Sequence, residues 1–274
     1  MQTLECEIKN LFSSFKKDFK GPISVSDSFT IFVKYSLNPP PDFYTAELKS
    51  YELLKLAIPD YIPEIYYCDS NGIAIEYINT VETKISNQTM LADVLAKLHS
   101  YKLDRFGAEH KGYIGNLPMS NSYKDTYVEF FKEFRVEPYL KQAFDASLIS
   151  PKLAKMIDTA ILKFESIQQP NLKPCLVHGD LWNGNIIFSN RPYLIDPAAH
   201  GACRELDLAM LSLFGFPNLN EILSRYQSLY PLENGYQQRM LINQIFYLLV
   251  HVVLFGASYV STLESTVKSI LKTD

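Results

Sequence analysis

The sequence predicts an α+β fold of two lobes, in which a small β-rich N-terminal lobe precedes a larger, mainly helical lobe. In the first 80 residues, short β-branched runs alternate with turns rich in Pro, Asn and Gly. After about residue 87, apolar residues recur with a helical period over several long segments. One polar island, residues 176–196, interrupts these helices. We therefore divide the chain into lobes of residues 1–79 and 80–274.

The small lobe is predicted to contain one strand, one helix and one hairpin. Phe29–Val33 is an apolar, β-branched run that ends at Lys34, and a proline-rich turn then leads into a helix over Phe43–Leu56. Ile65–Tyr67 and Ile73–Ile78 flank a turn that ends in Asn-Gly, which is typical of a β-hairpin.

The large lobe shows repeated helical signals. An apolar stripe runs from Met90 to Leu98 and ends at His99, and Ser150-Pro151 is a typical helix start with proline at the first helical position. The apolar stretch Ile245–Phe255 is too short to span a bilayer, so we interpret it as a buried helix.

Composition restricts the partners and the compartment. The chain of 274 residues is 47% hydrophobic, and its 26 basic and 30 acidic residues give a net charge of −4. This balance argues against nucleic acid or an anionic membrane as the main partner, because both select clustered Lys and Arg. The N-terminus lacks a signal-peptide pattern, and the scattered cysteines suggest a reducing, cytoplasmic setting. These cysteines are Cys6, Cys68, Cys175 and Cys203.

The polar island carries the chemistry. Asp180 and Asn185 are separated by four residues, the spacing of a catalytic loop that transfers phosphoryl groups. Ile186–Phe188 and Tyr193–Ile195 can pair as a hairpin, which would return Asp196 to the side of Asn185. Phosphoryl transfer needs one carboxylate at the attacking hydroxyl and oxygen ligands for Mg near the triphosphate. This spacing therefore predicts a phosphotransferase site.

Two other interpretations of the island stay open at this stage. An Asp-Asn pair beside glycines is also common in ordinary turns. His178 and Asp180 could instead be ligands of a metal-dependent hydrolase, although the sequence supplies no second histidine cluster to complete such a site. If the island is a phosphotransferase site, His178 is structural and holds the loop backbone.

Beyond the spacing, the residues resemble a known family. His178–Asn185, Leu194–Ala198, Arg204–Met210 and Leu213–Gly215 are similar to the fructosamine kinase (ketosamine 3-kinase) family. That family belongs to the aminoglycoside phosphotransferase and choline kinase group, which has a protein-kinase-like fold. Further matches, from Ile31–Lys34 to Phe255-Gly256, extend the resemblance over nearly the whole chain.

The resemblance implies a role for each matching residue. Asp180 would orient the substrate hydroxyl and accept its proton, while Asn185 and Asp196 would bind Mg. Lys34 would contact the phosphates of ATP, and Glu47 would hold Lys34 by an ion pair.

Other roles implied by the resemblance are less direct. The backbone from Glu76 to Ile78 would form the hinge that binds adenine, and His178 and Asp207 would support the catalytic loop. Three side chains would contact the acceptor substrate: Trp182, Arg135 and Glu205. For Trp182, a role in packing is the alternative.

The implied reaction is ATP- and Mg-dependent phosphorylation of a ketosamine at the sugar 3-hydroxyl, which makes a fructosamine, ribulosamine or erythrulosamine adduct on an amine or protein labile. A kinase of aminoglycosides, choline or another sugar is an alternative within the same class. A non-catalytic pseudokinase is the alternative outside it, and the intact Asp180, Asn185 and Asp196 argue against that. The oligomeric state is left open.

One departure from the family pattern concerns the nucleotide. Before Lys34 the chain offers only Gly21, thirteen residues upstream, and Pro22 removes a backbone donor beside it. A glycine-rich loop over the triphosphate is therefore missing, and we expect a shortened small lobe that binds nucleotide weakly.

Overall fold

The computed structural model describes residues 2–81, 85–167 and 172–272. The strands within these residues are β1 Phe19–Ser26, β2 Phe29–Tyr35, β3 Ile65–Cys68, β4 Gly72–Glu76, β5 Gly112–Ile114, β6 Leu117–Met119, β7 Cys175–Val177, β8 Ile186–Phe188, β9 Pro192–Leu194 and β10 His200–Ala202.

A π-helical turn, Lys132–Val136, joins two of the helices into one continuous helix. The bounds of the helices are α1 Gln2–Ser14, α2 Phe43–Ala57, α3 Ile85–Ser100, α4 Tyr127–Phe131, α5 Glu137–Asp145, α6 Pro151–Ile167, α7 Glu205–Leu213, α8 Leu219–Leu229, α9 Tyr236–Phe255 and α10 Val260–Lys272.

The small lobe is an antiparallel sheet of four strands in the order β1-β2-β4-β3. The predicted strand at Phe29, the helix at Phe43 and the hairpin of β3 and β4 are all confirmed. β1 and α1 were not predicted. Pro22 obscured β1 in the sequence, yet β1 is an edge strand, where proline is tolerated because one row of backbone groups needs no partner.

Helix α1 gives this sheet its own small core. Ile8 and Phe12 pack against Ile31 and Val33 on β2. Phe12 also contacts Tyr35 edge to face, with ring centroids 5.5 Å apart. The sheet is therefore covered on this side by residues that precede β1.

Helix α2 connects the two lobes through a shared core. Tyr51 and Leu54, on its inner face, belong to the same buried cluster as three leucines of the polar island, Leu176, Leu181 and Leu194. Packing of α2 against this cluster fixes the position of its side chains relative to the island. The predicted boundary between residues 79 and 80 falls between β4 and α3 and stays a prediction.

The large lobe is built around α9, which packs against α5, α6, α7 and α10. By length and composition alone, Tyr236–Lys272 is a stretch of the described chain that could cross a membrane. Its side chains from Ile245 to Val250 are buried among those helices, which accounts for their apolarity. The prediction of a buried helix is right for this part and wrong for Phe255, which is 61% exposed.

Candidate active site

The island residues lie at a cleft of about 550 Å³ between the lobes. Lys34 and Glu47 line it from the small lobe, and Asp180, Asn185 and Asp196 line it from the large lobe. Five predicted site residues, distant in sequence, are thus brought together. The arrangement follows from β2, α2 and the hairpin of β8 and β9, each of which ends or passes at the cleft.

The catalytic loop holds Asp180 through Asn185. The side-chain amide of Asn185 donates to the backbone oxygen of Asp180 at 2.9 Å and to its carboxylate at 3.1 Å. Burial raises the pKa of Asp180 to about 7; the Asn185 amide opposes this shift, and the nearby carboxylate of Asp196 adds to it. A carboxylate with such a pKa suits a group that accepts a proton near neutral pH.

Two glycines of this loop are required by close approaches. Gly179 has a φ of +84°, and a Cβ there would lie 2.2 Å from the backbone oxygen of Ala198. A Cβ on Gly184 would lie 2.3 Å from the ring of Trp182. The Trp182 ring therefore packs against Gly184, and it lines the cleft.

The predicted hairpin brings Asp196 into the cleft that Asn185 also lines. β8 and β9 pair from Ile186 with Leu194 to Phe188 with Pro192, and the N–H of Ile195 donates to the oxygen of Asn185 at 3.0 Å. Asp196 itself has a left-handed backbone with a φ of 53°, a region that Asp enters more readily than most residues. This turn directs its carboxylate into the cleft.

Lys34 lies between two carboxylates. Its ammonium group forms an ion pair with Glu47 and another, at 2.6 Å, with Asp196. Burial alone would lower the pKa of Lys34, but Glu47 and Asp196 outweigh it and hold the pKa above its usual range. Lys34 is therefore charged.

A second lysine, Lys20, was not predicted. It lies opposite Lys34 in the register of β1 and β2, so the two side chains share one face of the sheet. Its ammonium group lies 3.4 Å from Asp196, although its side chain is 64% exposed. Burial would raise the pKa of Asp196, but Lys34 and Lys20 together lower it. The alternation of Phe19, Ile23 and Val25 was the sequence signal for this strand.

His178 and Asp207 support the loop backbone. His178 Nε2 donates to the oxygen of Ile195 at 3.0 Å, and its Nδ1 accepts from the N–H of Asp180 at 3.3 Å. Burial lowers the pKa of His178, which keeps it neutral. The carboxylate of Asp207 accepts from the N–H of His178 at 2.7 Å and from that of Gly179 at 2.8 Å.

We predict that Asp207→Ala lowers the free energy of unfolding by about 3 kcal/mol or more, because two buried N–H groups lose a charged acceptor. His99 Nε2, which lies 3.2 Å from this carboxylate, loses its acceptor as well. Denaturant unfolding measures the change. Asp125→Ala is the control, since its carboxylate is 85% exposed and its removal should change stability by less than about 1 kcal/mol. An equal loss of stability in the two variants would contradict the role of Asp207 in holding the loop backbone.

Two predicted substrate contacts are wrong. Arg135 is fully buried: its guanidinium donates to the oxygens of Ser120 and Asn121 and stacks on Phe130, 4.5 Å from the ring centroid. Glu205 is also buried and pairs with the guanidinium of Arg239 at 2.7 Å. Neither side chain lines the cleft, because both satisfy groups inside the large lobe.

The predicted contact of Glu76 and Ile78 with adenine is less clear-cut than the contacts of Arg135 and Glu205. Glu76 ends β4, and its backbone N–H donates to the oxygen of Glu64 at 2.7 Å, so that N–H is not free to bind adenine. Ile78 is buried and is the second residue after the strand. Neither residue lines the cleft of 550 Å³, and their contact with adenine stays a prediction.

The hydrolase interpretation is not supported. Both ring nitrogens of His178 are occupied by backbone groups of the loop, so neither is free to bind a metal. In the described part of the chain, no three His, Cys, Asp or Glu side chains form a potential metal site.

A second cavity, of about 470 Å³, adjoins the cleft on the large-lobe side. Asp180, Trp182 and Gly115 line both cavities, so the candidate base lies where they meet. The remaining walls of the second cavity come mainly from α9 and from the residues that follow α7 and α9.

Comparisons with known proteins agree with this geometry. The family model of fructosamine kinase matches residues 22–273. A protein of Enterococcus faecium, named as a probable ketoamine kinase, is 31% identical over 242 residues, which cover 87% of this chain and 86% of that protein. The chloroplast protein-ribulosamine 3-kinase of Arabidopsis thaliana is 32% identical over 207 residues, which cover 73% and 62% of the two chains.

Solved structures show the same relationship. A Thermobifida fusca protein of fructosamine-3-kinase type matches with a TM-score of 0.88 at 33% identity, over 92% of this chain and 89% of that one. An aminoglycoside phosphotransferase in complex with gentamicin matches at 16% identity with a TM-score of 0.58, over 98% and 96% of the chains, which shows the shared protein-kinase-like fold. From the family match and these similarities together, the chain belongs to the fructosamine kinase family.

Proposed function

We propose that this kinase transfers the γ-phosphoryl group of Mg-bound ATP to the 3-hydroxyl of a ketosamine. The position of Asp180 is the observation that carries the proposal. It lines both the nucleotide cleft, beside Lys34 and Asp196, and the second cavity, which is large enough for a sugar derivative. The phosphoryl donor and the acceptor hydroxyl would therefore meet at this carboxylate.

In this mechanism the side chains of the protein position the two substrates and neutralise the negative charge of the phosphates. Lys34, held by Glu47, would bind phosphate oxygens, and Lys20 would approach the same charge from β1. Asp180 would accept the proton of the hydroxyl as the hydroxyl oxygen bonds to the γ-phosphorus and the bond from that phosphorus to the β–γ bridging oxygen breaks, which releases ADP. The loop around it is fixed by Asp207, so the carboxylate need not reorganise during the reaction.

The donor set also fits magnesium. Asn185 and Asp196 supply oxygen ligands, the type that Mg prefers. Each carboxylate oxygen of Asp196 lies beside an ammonium group, of Lys34 or of Lys20, so this carboxylate is placed to bind positive charge. Two protein ligands suit an ion that completes its shell with water and phosphate. Bound there, Mg would neutralise charge on the β- and γ-phosphates.

The composition of the second cavity favours ketosamines over aminoglycosides. An aminoglycoside carries several ammonium groups, each of which needs an acidic or polar partner when it is buried. Asp180 is the only carboxylate among the described residues that line this cavity. A ketosamine, with one amine and several hydroxyls, matches that single charge better.

We propose further that the enzyme acts in the cytoplasm, on free or protein-bound adducts. The four cysteines Cys6, Cys68, Cys175 and Cys203 are all free thiols, which is typical of a reducing compartment. Trp182, which lines both cavities, is 41% exposed, so an adduct carried on a larger molecule could reach Asp180.

A screen of ATP consumption tests the substrate class. Ribulosamines, erythrulosamines, fructosamines, aminoglycosides and choline are offered in turn, with Asp180→Asn as the blank. We expect turnover of ketosamines, with ribulosamines and erythrulosamines ahead of fructosamines. Phosphorylation of kanamycin-like compounds together with none of any ketosamine would overturn the proposal.

Metal dependence has its own expected result. Activity should disappear on chelation and return with Mg or Mn, because both ions accept oxygen ligands. With only two protein ligands, little metal should bind in the absence of nucleotide, which calorimetry can measure. Tight binding of Zn by the nucleotide-free protein would contradict this assignment.

A further inference from the structure

Four aromatic rings form a cluster in the cavity next to Asp180. These are Phe214, His251, Phe255 and Tyr259, called the ring cluster below. His251 is at its centre, with ring centroids 4.7 Å from Phe214, 4.8 Å from Tyr259 and 5.4 Å from Phe255. The rings come from the ends of α7 and α9 and from the turn before α10.

Two of the four rings in the cluster are exposed to solvent. Phe214 is 41% exposed and Phe255 is 61% exposed, and Trp182, which lines the same cavity, is 41% exposed. Exposed aromatic side chains that converge on one cavity are typical of a binding surface rather than of a folded core. Their location beside Asp180 assigns that surface to the acceptor.

His251 adds a hydrogen-bond acceptor to the cluster. Its Nδ1–H donates to the backbone oxygen of Tyr247 at 2.7 Å, which defines the tautomer and leaves Nε2 as an acceptor. Burial lowers the pKa of His251, so the ring is neutral at physiological pH. A neutral imidazole and the faces of three other rings favour a cation and offer nothing to an anion.

The charges that line the cavity agree with this preference. Asp180 is the only carboxylate, and no Lys or Arg occurs among the described residues around the cavity. An ammonium group there would be attracted by Asp180 and by the ring faces. A carboxylate there would be repelled by Asp180 and would lose water without gaining a partner.

We propose that the ring cluster binds the protonated amine of the acceptor and thereby selects ketosamines that carry no carboxylate close to that amine. This inference rests on the proposed function, since it names which ketosamines the same site accepts. The amine of a ketosamine lies only a few bonds from the 3-hydroxyl, so a hydroxyl at Asp180 places the amine in this cavity. Adducts of simple amines and of lysine side chains are then substrates, whereas adducts of free α-amino acids are poor ones.

Three ribulose adducts form a matched set of probes. The adducts of propylamine and of glycine have substituents of similar size and amines that are both protonated, but only glycine places a carboxylate beside the amine. The adduct of 6-aminohexanoate carries its carboxylate far away. We expect kcat/KM for the propylamine adduct to exceed that for the glycine adduct by about tenfold or more, and the 6-aminohexanoate adduct to resemble the propylamine adduct.

A positive charge introduced into the ring cluster should weaken the preference for the propylamine adduct. Phe255→Lys supplies a cation at a side chain exposed enough to tolerate the change, and it should narrow the ratio between propylamine and glycine adducts several-fold. Phe144→Lys, at a 45% exposed phenylalanine on α5 that lines neither cavity, should leave the ratio unchanged.

The outcomes separate this inference from the proposed function. Equal kcat/KM for the glycine and propylamine adducts, or equal effects of the two lysine variants, would overturn the role of the ring cluster while ketosamine kinase activity stands. If none of the three adducts and no other ketosamine is phosphorylated, both the role of the ring cluster and the proposed function are overturned.

Discussion

Asp180→Asn should lower kcat by about 10²–10⁴-fold, the range that a general base contributes, while ATP binding persists. The substitution keeps the size of the side chain and its contact with Asn185, so the loop should keep its conformation. Among the described residues, it removes the one carboxylate that lines both cavities, and with it the proposed acceptor for the hydroxyl proton.

The measurement combines turnover with a ribulosamine and nucleotide binding by calorimetry. Asp60→Asn, at an exposed residue between α2 and β3, is the control and should retain full activity. Unchanged unfolding free energy in Asp180→Asn would show that the loss is chemical. Near-normal turnover in this variant would remove Asp180 from the mechanism.

The island could be predicted from sequence because its function depends on local spacing. The positions of Asp180 and Asn185 are fixed within one loop, and a hairpin of three-residue strands returns Asp196 by a short path. The chemistry of such a site requires these residue types at these intervals, so few other sequences share the pattern.

Lys20 could not be predicted in the same way, because its place depends on strand pairing. It becomes a neighbour of Lys34 only through the register of β1 and β2, and β1 was obscured by Pro22. Edge strands tolerate proline, but a sequence does not say which strand is at the edge. Recognition of Lys20 needed the sheet order.

Arg135 and Glu205 show the converse error. A charged residue near a functional motif suggests a contact with substrate, since charged side chains are rarely buried. Here each is buried with a partner from a distant segment: Arg135 with Asn121, and Glu205 with Arg239. Pairing across the large lobe depends on how α7, α9 and the π-helical turn pack, which is tertiary information.

The short connection between β1 and β2 leads to the second large effect. β1 and β2 are joined by Asp27 and Ser28, and no described residue between Gly21 and Ser28 lines the cleft. The backbone N–H groups that a glycine-rich loop would offer to the triphosphate are therefore not at hand. Phosphate binding should rest on Lys34, Lys20 and the metal ligands, and the KM for ATP should lie toward or above the upper part of the usual ~1 μM–1 mM range.

Lys34→Ala should then lower kcat/KM for ATP by about 10²–10³-fold, the cost of removing one preorganised group that stabilises transition-state charge. Its loss also leaves Glu47 buried beside Asp196 without the ammonium group that neutralises both. Lys20→Ala should have a smaller effect, because that side chain is largely exposed and screened. Ser26→Ala, in the same strand as Lys20 but outside the cleft, should change nothing. Titration of ATP against the wild type and the three variants ranks the contributions of Lys34, Lys20 and Ser26 to phosphate binding. A Ser26 variant as impaired as Lys34→Ala would mean that the β1–β2 turn closes over the triphosphate after all, and that the phosphates are held by the strand and not by the two lysines.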